Sequence, residues 1–281
     1  MVRSASVKVL PSMIRREVGD LVYYQFSQLV RFPQLQHGIC TRLGGVSKPP
    51  WSSLNVGRLV GDLPEAANEN HRQIYVAAGL EPTRVVSARQ VHGTNVAVVG
   101  EEQHGQVLPE TDALVTNTPG TALLLRFVDC VPIVLFDPMK DAISLVHSGW
   151  RGTVAGIARR AVQVMQDTFG CHPEDILAGI GPCIGPCCYE VGPDVVEEVK
   201  QAFGSTFQVV VKPGRGDRYT FDLPSAVRIQ LQRAGIASVE DSGLCTSCHT
   251  TEFYSHRAEH GSTGRFAVFV SLRSELPFPD Y

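Results

Sequence analysis

No stretch of this chain approaches the roughly 20 consecutive apolar residues that a membrane-spanning helix needs, so a membrane is not expected as a partner. Basic excess is also missing: 25 Lys and Arg stand against 28 Asp and Glu, for a net charge of −3. That balance gives no footprint for nucleic acid, and no block of like charge marks an interaction tail. No internal repeat, low-complexity tract or Pro/Gly linker divides the chain. Residues 1–20 carry Arg3, Lys8, Arg15 and Arg16 but no continuous apolar segment, so a secretory signal is not expected. A reducing, cytoplasmic setting follows as the expectation, in which the eight cysteines do not form a disulfide framework.

What is present suits a soluble enzyme. The 281 residues are 43% hydrophobic and long enough to bury a large core. Apolar runs predict strands at 21–26, 85–90, 96–99, 122–127, 131–136, 142–146 and 268–272. Helical spacing predicts a helix over 64–78 closed by Gly79, and the clearest one over 153–169 closed by Gly170. Two more are expected over 194–203 and 224–234. Residues 44–64, rich in Gly, Pro, Ser and Asn, read as a long loop, and loops of that length are usually functional or disordered. The expected fold is α/β, with mixed β-sheets sandwiched between helices. Residues 1–30 read as an N-terminal strand and extension, and 31–281 as one catalytic domain.

Three residues stand in or beside apolar runs: His92 in Gln90-Val-His-Gly93, Cys130 in Val128-Asp-Cys130, and His147 in Val146-His-Ser-Gly-Trp-Arg-Gly152. Two imidazoles and a thiolate make a three-ligand set with an open fourth position, the plan of catalytic zinc. The same residues also fit a buried core cysteine with two hydrogen-bonded histidines, or a nucleophilic Cys130 with a histidine base. Residue types alone do not separate metal ligand from nucleophile. Asp129 is placed to orient a ligand, stabilise a cation or move protons.

Thr41-Arg-Leu-Gly-Gly-Val-Ser47 can offer N–H groups, a guanidinium and a hydroxyl to an anion, although a tight turn with a solvated arginine is the favoured local reading. It is neither a Walker loop nor GxGxxG. In Gly181-Pro-Cys-Ile-Gly-Pro-Cys-Cys-Tyr-Glu190, Cys183 and Cys187 have the separation of a zinc pair, and Cys245 with Cys248 can supply another. The Gly-Pro turns and small apolar neighbours favour a structural role for these cysteines. Cys245-Thr-Ser-Cys-His249 matches the haem c pattern, but covalent haem needs an exported chain. Arg257 and Arg265 can close over a phosphate or ribose, or make surface salt bridges.

Taken together, these segments resemble one family. The matching stretches run in order from His37-Gly-Ile-Cys-Thr-Arg-Leu-Gly-Gly-Val-Ser47 through Ser53-Leu-Asn-Val-Gly57, Gln90–Gly93, Asp112-Ala-Leu-Val115, Val128–Pro132 and Val146–Gly156. Gly181–Gly185, Cys188–Val191, Cys245-Thr246, Tyr254-Ser255, Arg257 and Gly264-Arg-Phe266 complete them. The family is that of the multicopper polyphenol oxidase or laccase domain proteins, more recently described as purine nucleoside phosphorylases. The resemblance implies a single α/β domain, zinc on His92, Cys130 and His147, and phosphorolysis of adenosine, inosine and methylthioadenosine with adenosine deamination beside it. On that reading Arg42, the Gly44-Gly45 loop and Arg257 hold phosphate, Asn55 hydrogen-bonds ribose or base, and Asp129 and Cys130 are the catalytic pair. His71, Val128 and Val227 depart from residues frequent in the family.

The alternatives are a Cys-His hydrolase acting on an amide or peptidoglycan precursor, a copper-dependent polyphenol oxidase, and a binding module without turnover. Blue-copper sites use His₂Cys, but a laccase also needs a trinuclear cluster, and the nine histidines include no His-x-His pair. Copper in the zinc site is the more economical account. The expected partners are a purine nucleoside and phosphate, with the chain a monomer or homodimer.

Overall fold

In the computed structural model, residues 13–274 are described. The N-terminal extension expected over 1–30 therefore lies partly outside them. Its described part is no appendage, because strands Met13–Val18 and Leu21–Phe26 form one edge of a seven-stranded sheet. Next in that sheet come Leu35–Cys40, Phe266–Leu272, Ala122–Phe127, Val85–Ala88 and Val107–Leu108. A six-stranded sheet runs Ser238–Asp241, Leu177–Ile180, Val131–Asp137, Ala142–Ser148, Ala113–Thr116 and Val96–Val98. A small third sheet, Glu190–Val191, Tyr219–Phe221 and Val211–Pro213, went unpredicted because its strands are too short to show a period.

Alternation along the strands sorts the core into layers. Leu123, Leu125 and Phe127 face Val134, Phe136 and Leu145, so the two large sheets pack face to face. On the opposite side of the same strand, Ala122 and Leu124 meet Ile74 and Ala78 of the helix Pro64–Ala78. On the far side of the other sheet, Val131, Ile133 and Val146 meet Ala158, Ala161 and Met165 of the helix Ile157–Phe169. Helices Pro193–Phe203 and Leu223–Arg233 extend that layer. The result is two mixed sheets between helices, as expected. Central strands covered on both faces read as unbroken apolar runs. No helix among the described residues is long and apolar enough to cross a membrane.

The helix expected over 153–169 is two helices, Trp150–Ala155 and Ile157–Phe169. The break is at Gly156, whose φ of 85° closes the first helix in the left-handed region that glycine enters without steric cost. Apolar spacing continues across the break, which hides it from the sequence.

One buried base makes the fold acid-sensitive. The Phe26 N–H donates to His37 Nε2 at 2.8 Å, and burial pushes the His37 imidazole down to about 3. The unfolded chain takes up this proton first, near the ordinary value of 6.5. The stability that neutral His37 contributes is therefore complete above pH 6.5 and is lost as the pH falls from there toward 3. Urea unfolding should show roughly 2–3 kcal/mol less stability at pH 4.5 than at pH 7 from this residue. His37→Gln should make the slope shallower by about one proton. An unchanged slope would refute the assignment.

Candidate metal centre

The centre lies where the chain crosses between the sheets. Val85–Ala88 and Val96–Val98 belong to different sheets, and their connection carries His92. Ala122–Phe127 and Val131–Asp137 are likewise in different sheets, and their connection carries Asp129 and Cys130. His147 ends the strand Ala142–Ser148, opposite Pro132 in the antiparallel register, two residues from Cys130. The Gln90 side chain ties the two crossovers together: its amide donates to the Arg126 carbonyl at 2.7 Å, and its carbonyl accepts from the Arg126 N–H at 3.1 Å. His92 and Asp129 both sit at left-handed backbone, φ 60° and 64°. Non-glycine residues held there cluster at functional sites.

The potential ligand atoms of His92, Cys130 and His147 all lie within 4.8 Å of one another. Cys130 Sγ is 3.9 Å from His92 Nδ1. A tetrahedral zinc with its usual bond lengths spaces sulfur and nitrogen by about 3.6 Å, so the three donors fit a zinc ion with little movement. Behind them, His147 Nδ1–H donates to Asp112 Oδ1 at 2.9 Å, which leaves Nε2 as the donor to a metal. Asp112 is fully buried and also accepts from the backbone N–H groups of His92 at 2.9 Å, Gly93 at 2.8 Å and Val91 at 3.2 Å. One carboxylate thus sets both histidine ligands. Gly149 completes the cradle, since a Cβ there would stand 2.7 Å from His92 Nδ1 and 3.1 Å from Cys130 Sγ.

The electrostatics suit a thiolate. Burial raises the Cys130 pKa, but His147 and His92 outweigh it and bring the thiol down to about 6. Burial lowers that of His147, yet the Cys130 thiolate and Asp112 lift it to about 9. The metal-free centre is therefore a thiolate–imidazolium pair, and a cation that displaces the His147 proton meets a thiolate already formed.

The other predicted residues fall into two groups. Asp129 and Arg257 sit at the centre. Asp129 Oδ1 accepts from the Thr246 hydroxyl at 2.7 Å and Oδ2 from the Arg257 N–H at 2.8 Å. Asp112, rather than Asp129, accepts from the His147 ring. The Arg257 guanidinium lies 5.3 Å over the Tyr189 ring and donates to the Glu190 carbonyl at 2.9 Å. The second group makes contacts within the protein. Arg42 donates to the Ser52 and Thr250 carbonyls, pairs with Glu259 at 2.9 Å and stacks on Tyr254. Gly44 and Gly45 abut the Asp20 and Ser53 backbone with no room for a Cβ. Asn55 is fully buried, donating to Asp62 at 2.8 Å and accepting from the N–H groups of Gly57 and Arg265.

Sequence reasoning passed over Asp112 and Gly149 as functional residues. The one available signal was an acid opening an otherwise apolar strand, Asp112-Ala-Leu-Val115. Four of the cysteines for which the sequence favours a structural role come together. Cys187 and Cys188 converge with Cys245 and Cys248, whereas Cys183 is buried and its backbone bridges to Cys245.

Residues 36–273 match the family model described as multi-copper polyphenol oxidoreductase laccase. The chain is 36% identical to the purine nucleoside phosphorylase YlmD of Geobacillus stearothermophilus, over 85% of this chain and 90% of that protein. It is 34% identical to the purine nucleoside phosphorylase YfiH of Escherichia coli, over 83% and 91%. The crystal structure of YlmD from Geobacillus stearothermophilus superposes with a TM-score of 0.89 at 33% identity, covering 94% of this chain and all of that one.

Proposed function

The chain belongs to the multi-copper polyphenol oxidoreductase laccase family, and on that premise we propose that it is a zinc-dependent purine nucleoside phosphorylase with adenosine deaminase activity. Its substrates are adenosine and inosine, released as free base and ribose 1-phosphate, and methylthioadenosine, released as adenine and 5-methylthioribose 1-phosphate. The observation that carries this reading is the His92, Cys130 and His147 donor set, backed by Asp112 and flanked by Arg257. The names borne by relatives of similar length support it.

Phosphorolysis forms a bond from a phosphate oxygen to the anomeric carbon as the glycosidic C–N bond breaks and its electron pair leaves with the base. Positive charge develops on the ribose and negative charge on the purine, and rate is gained by stabilising both. Arg257 is the phosphate anchor, held by the Asp129 carboxylate, the Glu190 carbonyl and the Tyr189 ring. Asp129 is thereby a positioning residue, and Thr246 fixes its second oxygen. Arg265 adds positive potential, close enough to Cys130 and Asp129 for their negative charge to raise its own pKa against the lowering by burial. Asp112 keeps the His147 proton on Nδ1. Zinc held by His92, Cys130 and His147 supplies Lewis acidity toward a substrate oxygen in phosphorolysis and toward water in deamination.

A second reading has its own observation. The Cys130 thiolate beside protonated His147 is the pair of a cysteine nucleophile, so a hydrolase of amides or peptidoglycan precursors is the runner-up. Copper oxidation has less behind it, because the other candidate metal group among the described residues is made of cysteines alone.

Incubation of zinc-loaded protein with inosine and adenosine, with and without phosphate, decides between them. Hypoxanthine and adenine should appear only with phosphate and be matched by ribose 1-phosphate, and inosine formed from adenosine should report the deaminase. A folded, zinc-loaded sample that leaves both nucleosides unchanged would end the purine reading. Alkylation of Cys130 and amide substrates for the metal-free protein would then be the next test.

A further inference from the structure

We propose that Cys187, Cys188, Cys245 and Cys248 form a second metal site, a closed tetrathiolate that binds zinc and clasps two loops supporting the first centre. Its metal binding does not depend on which reaction the first centre carries out.

The four sulfurs lie within 4.8 Å of one another. Cys248 Sγ is 3.4 Å from Cys188 Sγ and 3.6 Å from Cys187 Sγ. With zinc–sulfur bonds of about 2.3 Å, a tetrahedral site has sulfur–sulfur edges of about 3.8 Å, so the cluster is already close to the required size. Cys248 sits almost equally close to two partners. Disulfides would draw the sulfurs into pairs at about 2 Å, whereas one cation satisfies all four at the spacing seen. Four thiolate ligands select zinc among the abundant divalent metals, and a closed four-coordinate set is the structural form of such sites.

The backbone is arranged for the same purpose. Cys245-Thr-Ser-Cys248 is a compact turn in which the Cys248 and His249 N–H groups both donate to the Cys245 carbonyl at 3.1 Å. The Gly185 N–H donates to Cys245 Sγ at 3.2 Å and so stabilises a thiolate there. The Cys188 and Tyr189 N–H groups, each at 3.0 Å from the Gly185 carbonyl, fold the chain so that the adjacent Cys187 and Cys188 reach the same point. Gly185 forms the floor, where a Cβ would stand 3.3 Å from Cys245 Cβ and 3.4 Å from Cys187 Sγ.

Both clasped loops serve the first centre. The Ile184 N–H donates to the Asp129 carbonyl at 2.9 Å, Thr246 holds the Asp129 carboxylate, and Arg257 donates to the Glu190 carbonyl just past Cys188. A metal on the four cysteines fixes the spacing between the loops, and with it the place of Asp129 and Arg257.

The test is zinc content by mass spectrometry on full-length protein purified under reducing conditions. About two zinc ions per chain are expected. His92→Ala, which disables the first centre and leaves every one of the four cysteines in place, should retain about one. X-ray absorption of that variant should show only sulfur neighbours, about four of them at about 2.3 Å. Cys187→Ser with Cys248→Ser should lose this second ion and keep the one on His92, Cys130 and His147. A folded His92→Ala protein that holds no zinc, or whose zinc has nitrogen or oxygen neighbours, overturns the proposal. Because His92→Ala preserves the cluster, its zinc content and sulfur coordination decide the matter even if the double cysteine variant fails to fold.

Discussion

Replacing Cys130 with serine is expected to lower both phosphorolysis and adenosine deamination on the order of a thousandfold or more. Lewis-acid stabilisation of a transition state contributes several kcal/mol, and each 1.36 kcal/mol is about tenfold in rate. Serine keeps the size of the side chain, but its hydroxyl does not ionise at neutral pH as the Cys130 thiol does, with its pKa brought down to about 6 by His147 and His92 against the effect of burial. The variant therefore offers a poor metal ligand between two intact histidines. Zinc content at the first centre should fall together with both activities. A Cys130→Ser protein that loses its zinc yet still releases hypoxanthine from inosine in phosphate would exclude the metal from phosphorolysis. Full activity in chelator-treated wild-type protein would favour Cys130 as a nucleophile instead.

The second large effect belongs to Asp112. Alanine there removes the acceptor from His147 Nδ1 and from the N–H groups of Val91, His92 and Gly93 at once. A donor left unpaired away from water costs about 1–3 kcal/mol, and the shared site and the exposure of Val91 and His92 prevent simple addition. About 4 kcal/mol of lost stability is expected, a large part of the roughly 5–15 kcal/mol that holds a protein folded. Zinc affinity should fall about 10- to 100-fold as well, because the ring of His147 loses its orientation. Asp112→Asn keeps the shape but turns an amide donor toward donors, so it should weaken zinc in the same direction. Urea unfolding and competition with a zinc-sensitive dye measure the two effects. Wild-type zinc affinity in Asp112→Asn would remove this carboxylate from the metal centre.

Periodicity made the helices legible. The spacing over 64–78 and the glycine after it predicted the helix Pro64–Ala78, and Gly79 does close it with φ 59°. The apolar strands were legible for the same reason, but their partners were not. Nothing in 85–99 says that its two strands part into different sheets, because both are apolar and pairing is decided by residues far along the chain. His92, Cys130 and His147 stood out because chemistry-bearing side chains interrupt or end apolar runs, and the fold does bring them together. Asp112 was hidden because its partners are reached only through sheet pairing. Arg42 and Asn55 show the opposite case. Each is of a type that binds ligands, and each also makes an internal contact that local sequence does not reveal, Arg42 with Glu259, which lies 217 residues away. Cys-x₂₋₄-Cys spacing singles out Cys183 and Cys187, whereas Cys188 is the residue whose sulfur lies 3.4 Å from that of Cys248.

Two of the first centre's ligands come from connections between the sheets and the third from the end of a strand. No short segment of the chain can therefore assemble it. His92 and Cys130 are 38 positions apart, and the carboxylate behind His147 is 35 positions before it. Closing loops of that length costs chain entropy that only the docked sandwich repays. On the proposed zinc reading, the nascent chain would have little hold on the metal until both sheets have met, and an ion captured there would act as a rivet through finished layers. Occupancy of the first centre would in this sense be a certificate of assembly, and a molecule whose sheets have not met would be inactive without any separate safeguard.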